Sequence, residues 1–98
     1  VLYDPKQGEY PFVLSSLISW LEKQPADGTY RYEDSRRCLF CQYLTSLGYR
    51  NVVVNPVTWR HGVGPFVVRS FLPREWESIA RAGTFGGALY HARRLARA

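Results

Sequence analysis

Ninety-eight residues, 46% of them hydrophobic and 15% aromatic, suffice for one hydrophobic core and are too few for two, so residues 1–98 are read as a single compact domain. Thirteen Lys and Arg stand against eight Asp and Glu, a formal charge of +5, and this balance excludes a disordered acidic chain and favours an anionic partner. The longest apolar runs reach about four residues where a membrane-spanning helix needs ~18, and no secretory leader is visible, so a soluble cytoplasmic protein without membrane contact is expected.

Pro11 suits the first position of a helix, and Leu14, Leu17, Ile18 and Leu21 follow at helical spacing until Gln24-Pro25 stops the pattern. Ala26-Asp27-Gly28 reads as a turn, with Thr29 to Tyr32 as a short extended segment. Asp34 and Ser35 are two candidate N-caps for a second helix, with Phe40, Leu44 and Leu47 on its apolar face and Gly48 as its left-handed terminator. The pattern then turns β-branched: Val52 to Val54, Val57 to Trp59 and Phe66 to Phe71 predict two or three antiparallel strands, broken by Asn55-Pro56 and by His61-Gly62-Val63-Gly64. Pro73 opens a third helix through about Ala82, Gly83 ends it, and Thr84 caps a fourth with Phe85, Leu89, Ala92 and Leu95 inward. The expected class is α+β, order ααββαα, with four helices packed on one side of a small antiparallel sheet.

Charge is unevenly spread along these elements. Residues 1–34 carry six acids against three cations, a net −3, whereas residues 35–98 carry ten arginines against Glu75 and Glu77, a net +8. Arginine suits bidentate recognition of phosphate or carboxylate better than lysine does. A GC-rich genome also writes Arg and Ala freely, and the closing Ala-Arg-Arg-Leu-Ala-Arg-Ala fits that bias equally well. On the last helix Tyr90, Arg93, Arg94 and Arg97 fall opposite the apolar stripe, where they could meet phosphates or simply offset the helix dipole. Arg36, Arg37 and Arg60 are further candidates, with Trp59 and Tyr90 as stacking groups.

Other motifs carry less chemistry. Cys38-Leu39-Phe40-Cys41 has the spacing of a redox pair, but an acidic loop rather than a core strand precedes it, and positions i and i+3 equally describe a buried helical face. Cys38, Cys41, His61 and His91 could complete a zinc tetrahedron, yet nineteen residues separate Cys41 from His61 and twenty-nine separate the histidines, which matches no known finger. Gly83-Thr84-Phe85-Gly86-Gly87 resembles a phosphate cradle at a helix N-terminus, or glycines that permit close packing. No catalytic constellation, metal site or cofactor is expected.

Trp20-Leu21, Pro25-Ala26-Asp27, Tyr30, Cys38-Leu39, Gln42-Tyr43-Leu44, Thr84-Phe85-Gly86 and Ala88-Leu89 together resemble small uncharacterised proteins of bacteria and their phages. The resemblance implies no activity but admits a stoichiometric inhibitor or adaptor. The expectation is a non-enzymatic domain that binds nucleic acid through Arg36, Arg37, Trp59, Arg60, Tyr90, Arg93, Arg94 and Arg97. The alternative is a protein-binding inhibitor or adaptor whose basic face meets an acidic partner. The oligomeric state stays open.

Overall fold

The computed structural model describes residues 11–98, in the order α1 (Leu14–Glu22), α2 (Leu39–Ser46), β1 (Val53–Val54), β2 (Thr58–His61), β3 (Val68–Phe71), α3 (Glu77–Ala80) and α4 (Phe85–Ala96). Short 3-10 turns occupy Gly64–Phe66 and Arg74–Trp76. Among the described residues, four helices and a three-stranded antiparallel sheet make an α+β fold, as the sequence pattern requires.

The start signals at Pro11, Asp34 and Pro73 act about one turn ahead of the helices they are expected to open, whereas Gly48 and Thr84 act where the sequence places them. Helix α1 begins after Val13 rather than at Pro11; no side chain caps it, and Leu17 donates its N–H to Val13 O at 3.1 Å. It ends where Pro25 offers no N–H, and Gln24 Nε2 donates to Trp20 O at 3.2 Å to satisfy an end carbonyl. Asp34 caps a turn instead of a helix: its Oδ1 accepts from the N–H groups of Arg36 and Arg37 at 2.9 and 3.0 Å. The helix proper starts later, with Cys38 at the N-cap. Gly48 closes α2 at φ 101°, as expected for a left-handed terminator. The third helix is shorter than predicted, because Trp76 enters the core on a 3-10 turn before the α-conformation begins at Glu77.

Helix α2 is the centre of the molecule. Leu39, Phe40, Cys41, Tyr43 and Leu44 are all buried, which covers far more than one stripe of an eight-residue helix. Tyr43 faces Trp20 of α1 at 5.6 Å between ring centroids, and Cys41 Sγ donates to Val52 O just ahead of β1. A second aromatic group joins Phe12, Phe40, Trp59 and Trp76 edge-on, with centroids 5.4 to 6.2 Å apart for the Phe12 pairs. The sheet is a meander, β1-β2-β3, with Trp59 opposite Val54 and Ser70, and Arg60 opposite Val53 and Arg69. By strand alternation Trp59 takes the core face, and Val53, Thr58, Arg60, Arg69 and Phe71 share the other. Gly62 turns the chain toward β3 at φ 114°, where a Cβ would lie 2.2 Å from Phe66 O, so only glycine fits.

Helix α4 packs on α1 and α3, and its first turn is stitched to the segment after α1. Phe85 N–H donates to Gly28 O at 3.0 Å, Gly86 N–H to Ala26 O at 2.9 Å, and Tyr30 N–H to Gly83 O at 3.1 Å, around a Thr29–Thr84 bridge. A Cβ on Gly86 would stand 2.9 Å from Ala26 O. Gly86→Ala is therefore expected to lower stability by ~1–2 kcal/mol, although alanine is the better helix former by ~1 kcal/mol. A urea midpoint that rises in the variant would show that the two segments do not approach as described.

Candidate anionic-partner interface

The outer face of α4 is set by burial of the inner one. Phe85, Ala88 and Ala92 are buried, Leu89 and Leu95 are half-buried against the core, and Tyr90, Arg93, Arg94 and Arg97 are left exposed. Arg93 and Arg94 lie in the last turn, where cations oppose the partial negative charge of the helix end. They are not equivalent. Arg93 Nη2 donates to Glu22 Oε2 of α1 at 2.8 Å, whereas the Arg94 guanidinium sits 5.8 Å from the centre of the Tyr90 ring and donates to its hydroxyl at 3.5 Å. Arg94, Arg97 and Tyr90 thus form an open cationic and aromatic group, and Arg93 is partly committed to a surface ion pair worth about 0–1 kcal/mol.

The remaining candidates come from other elements. Arg36 and Arg37 are exposed on the turn organised by Asp34. Arg60 lies on the outer face of the sheet directly across from Arg69 of β3. Among the described residues, ion pairs within 4 Å join only Arg81 to Glu77 and Arg93 to Glu22, so Arg36, Arg37, Arg60, Arg69, Arg94 and Arg97 have no acidic partner there. No hydrogen bond or ion pair among the described residues links the three groups of arginines to one another.

Trp59 must be removed from the candidate surface. It is 4% exposed, with its ring 5.2 Å from Tyr49, 5.7 Å from Phe12 and stacked on His61 at 4.9 Å. Its place on the core-facing side of β2 makes it a packing residue, and no ligand base can reach it. Among the described residues the exposed aromatic groups are instead Tyr90, Phe66 and Phe71, the last two 79% and 76% exposed. Sequence reasoning placed Arg69 and Phe71 on a strand but did not single them out; the alternation Val68-Arg69-Ser70-Phe71 was the available signal, and its outward phase depends on the register with β2.

The weaker motifs resolve into packing. Cys38 and Cys41 are free thiols, both buried, and burial raises the pKa of each above the ordinary thiol value, the opposite of what a reactive thiolate needs. At the glycine-rich start of α4 the amides of residues 85 to 88 are already taken: Phe85 and Gly86 donate to backbone carbonyls, Gly87 to Thr84 Oγ1 at 3.1 Å and Ala88 to Thr84 O. Among the described residues no three His, Cys, Asp or Glu side chains converge in a group able to hold a metal. No described helix is long and apolar enough to cross a membrane. A cleft of about 1100 Å³ runs between the ends of the strands and α3, lined by Cys38, Phe40, Val54, Phe71, Leu72 and Glu77 among others. Its wall also carries the polar side chains of Tyr32, Glu33, Ser35, Arg74 and Glu75. No protein-family model, curated protein or solved structure matches the chain.

His61 stacks on Trp59 and meets Tyr49 edge-on at 4.7 Å, and burial pushes its imidazole below the ordinary value of 6.5. The folded state therefore favours the neutral ring. The stability this contributes is complete above the unfolded pKa and is lost as pH falls through the folded one. Urea midpoints measured from pH 7.5 down to 5 should decline more steeply for the native chain than for His61→Gln; parallel curves would mean that the ring is not desolvated.

Proposed function

We propose that this domain binds nucleic acid without catalysing a reaction, holding the phosphate backbone chiefly with the outer face of α4. The observation that carries this reading is the group formed by Tyr90, Arg94 and Arg97: three exposed side chains on one helix face, with no acidic residue of that helix beside them. Arginine forks match phosphate oxygens, and a neighbouring phenol ring supplies a stacking or hydrogen-bonding group. Arg36, Arg37 and Arg60 add positive potential that steers a polyanion toward the domain. Contacts of this type position a backbone and carry no base code, so the expected binding is indifferent to sequence.

A second reading, a stoichiometric protein-binding adaptor or inhibitor, has a separate observation behind it. The β2–β3 hairpin leaves a sheet edge and several large apolar side chains exposed, none of which the α4 face uses.

Binding to labelled single- and double-stranded oligonucleotides across a salt series tests the first reading. Affinity should fall steeply as salt rises, and Arg94→Ala with Arg97→Ala should flatten the log–log slope by ~2 on duplex DNA, with equal loss on unrelated sequences. Arg93→Ala should do less, because its guanidinium is already shared with Glu22. Absence of binding at low salt, or a slope unchanged by the double substitution, would reject the assignment to α4.

A further inference from the structure

The two edges of the sheet are treated differently. On the β1 side Val54 N–H donates to Ser35 O at 2.8 Å, so the loop before α2 covers that edge. On the β3 side all four residues, Val68 to Phe71, are exposed. The phase of the ladder follows from Leu72 N–H, which donates to Val57 O at 2.8 Å just beyond the paired strands. Hydrogen-bonded pairs alternate in an antiparallel ladder, so Ser70–Trp59 and Val68–His61 exchange bonds with β2, and the N–H and C=O of Arg69 and Phe71 point to the open side. Val63, Phe66 and Val68 flank this edge at 55%, 79% and 50% exposure. Among the described residues no strand pairs with this edge, and an unpaired edge bordered by large apolar side chains is a template for another strand.

Charge decides which strand fits. A second copy would pair antiparallel about a two-fold axis, bringing Arg69 opposite Arg69 of the other copy or diagonal to it, ~7–8 Å away. Arg60 lies beside each Arg69 on the same face, and β1, β2 and β3 contain no acid to offset the cluster. Self-pairing is opposed, and a segment of opposite sign is favoured. We propose that β3 receives an extended acidic segment of a protein partner as a fourth strand. In that strand the residue opposite Arg69 is Asp or Glu and its backbone bonds the open edge, while alternate positions are apolar and lie beside Val68. This inference rests on the second, protein-binding reading and is independent of the α4 face.

The test uses labelled synthetic peptides of about seven residues, the length of an ordinary strand. A peptide alternating Glu and Val should bind, measured by fluorescence anisotropy, and one alternating Lys and Val should bind at least about tenfold more weakly. The Arg69→Glu variant, altered only at an exposed edge position, should reverse that preference. N-methylation of the Glu residues should abolish binding because those amides face β3, whereas N-methylation of the Val residues should not. No binding of the Glu–Val peptide would overturn the protein-binding reading as well as this one. Equal binding after N-methylation of Glu would overturn strand addition alone and leave a cationic surface that docks acidic peptides in another way. A chain dimer in sedimentation velocity that Phe71→Pro dissolves would overturn the choice of occupant. Loss of oligonucleotide binding in Arg69→Glu, with no peptide bound, would assign the edge to nucleic acid instead.

Discussion

The stitching of residues 26–30 to the start of α4 is the constraint on which the arrangement of helices depends. The chain must return from the sheet and α3 to lie beside α1, an element more than sixty positions earlier. Backbone bonds from Tyr30, Phe85 and Gly86, with the Thr29–Thr84 bridge, fix that return. Phe85 is carried between Tyr30 and Trp20, at 5.4 and 5.8 Å, and the Tyr30 hydroxyl donates to Ile79 O at 3.0 Å, bringing α3 into the same contact. Burial raises the Tyr30 pKa to about 12, so it stays a neutral donor across the physiological range. Once the first turn of α4 is held this way, its helical phase determines that Tyr90, Arg94 and Arg97 face outward. The same bonds consume the amides that would otherwise make an anion site there, so the end of the helix, not its beginning, is the cationic feature.

Aromatic residues explain why so short a chain closes a core. Phe12, Tyr30, Phe40, Tyr43, Tyr49, Trp59, Trp76 and Phe85 are all buried and reach across gaps that aliphatic side chains would leave open. They are spent on packing the helices onto one face of the sheet. The opposite face and the far strand receive no cover among the described residues, which is why Phe66 and Phe71 remain outside while other rings of the same type are inside. The exposed hairpin is thus the residue of a one-sided architecture as well as a surface with its own chemistry.

The class of fold was legible because its signals are local: leucines at helical spacing before Pro25, a glycine that accepts positive φ at position 48, β-branched runs between prolines, and a threonine whose hydroxyl caps α4. Boundaries slipped where a signal had more than one use. Asp34 can cap a turn as well as a helix, and the turn won because Cys38 N–H also donates to Asp34 O, ending that turn before α2 begins. The candidate surface was only partly legible, since exposure on a strand depends on the phase of pairing. Trp59 and Arg60 are neighbours in sequence, yet the pleat sends one ring into the core and the other side chain to the outer face. Nothing in the dipeptide states which way round this falls.

The arginines pose a question that stability measurements cannot answer. Arg36, Arg37, Arg69, Arg94 and Arg97 are exposed, take part in no ion pair among the described residues and fill no space in the core. Removing such a side chain changes folding free energy by only about ±0.5 kcal/mol. Their presence is therefore not required by the fold, and two explanations remain: a composition bias that scatters arginine wherever it is tolerated, or a ligand that needs it. The two differ in what happens to unpaired charge. Scattered cations only repel one another weakly, and salt screens that repulsion, whereas a cluster that meets phosphates or carboxylates gains a favourable free energy that added salt removes. The placement of Arg94 over Tyr90, and of Arg69 at the centre of an open strand edge, puts two of these cations beside groups that a ligand can use.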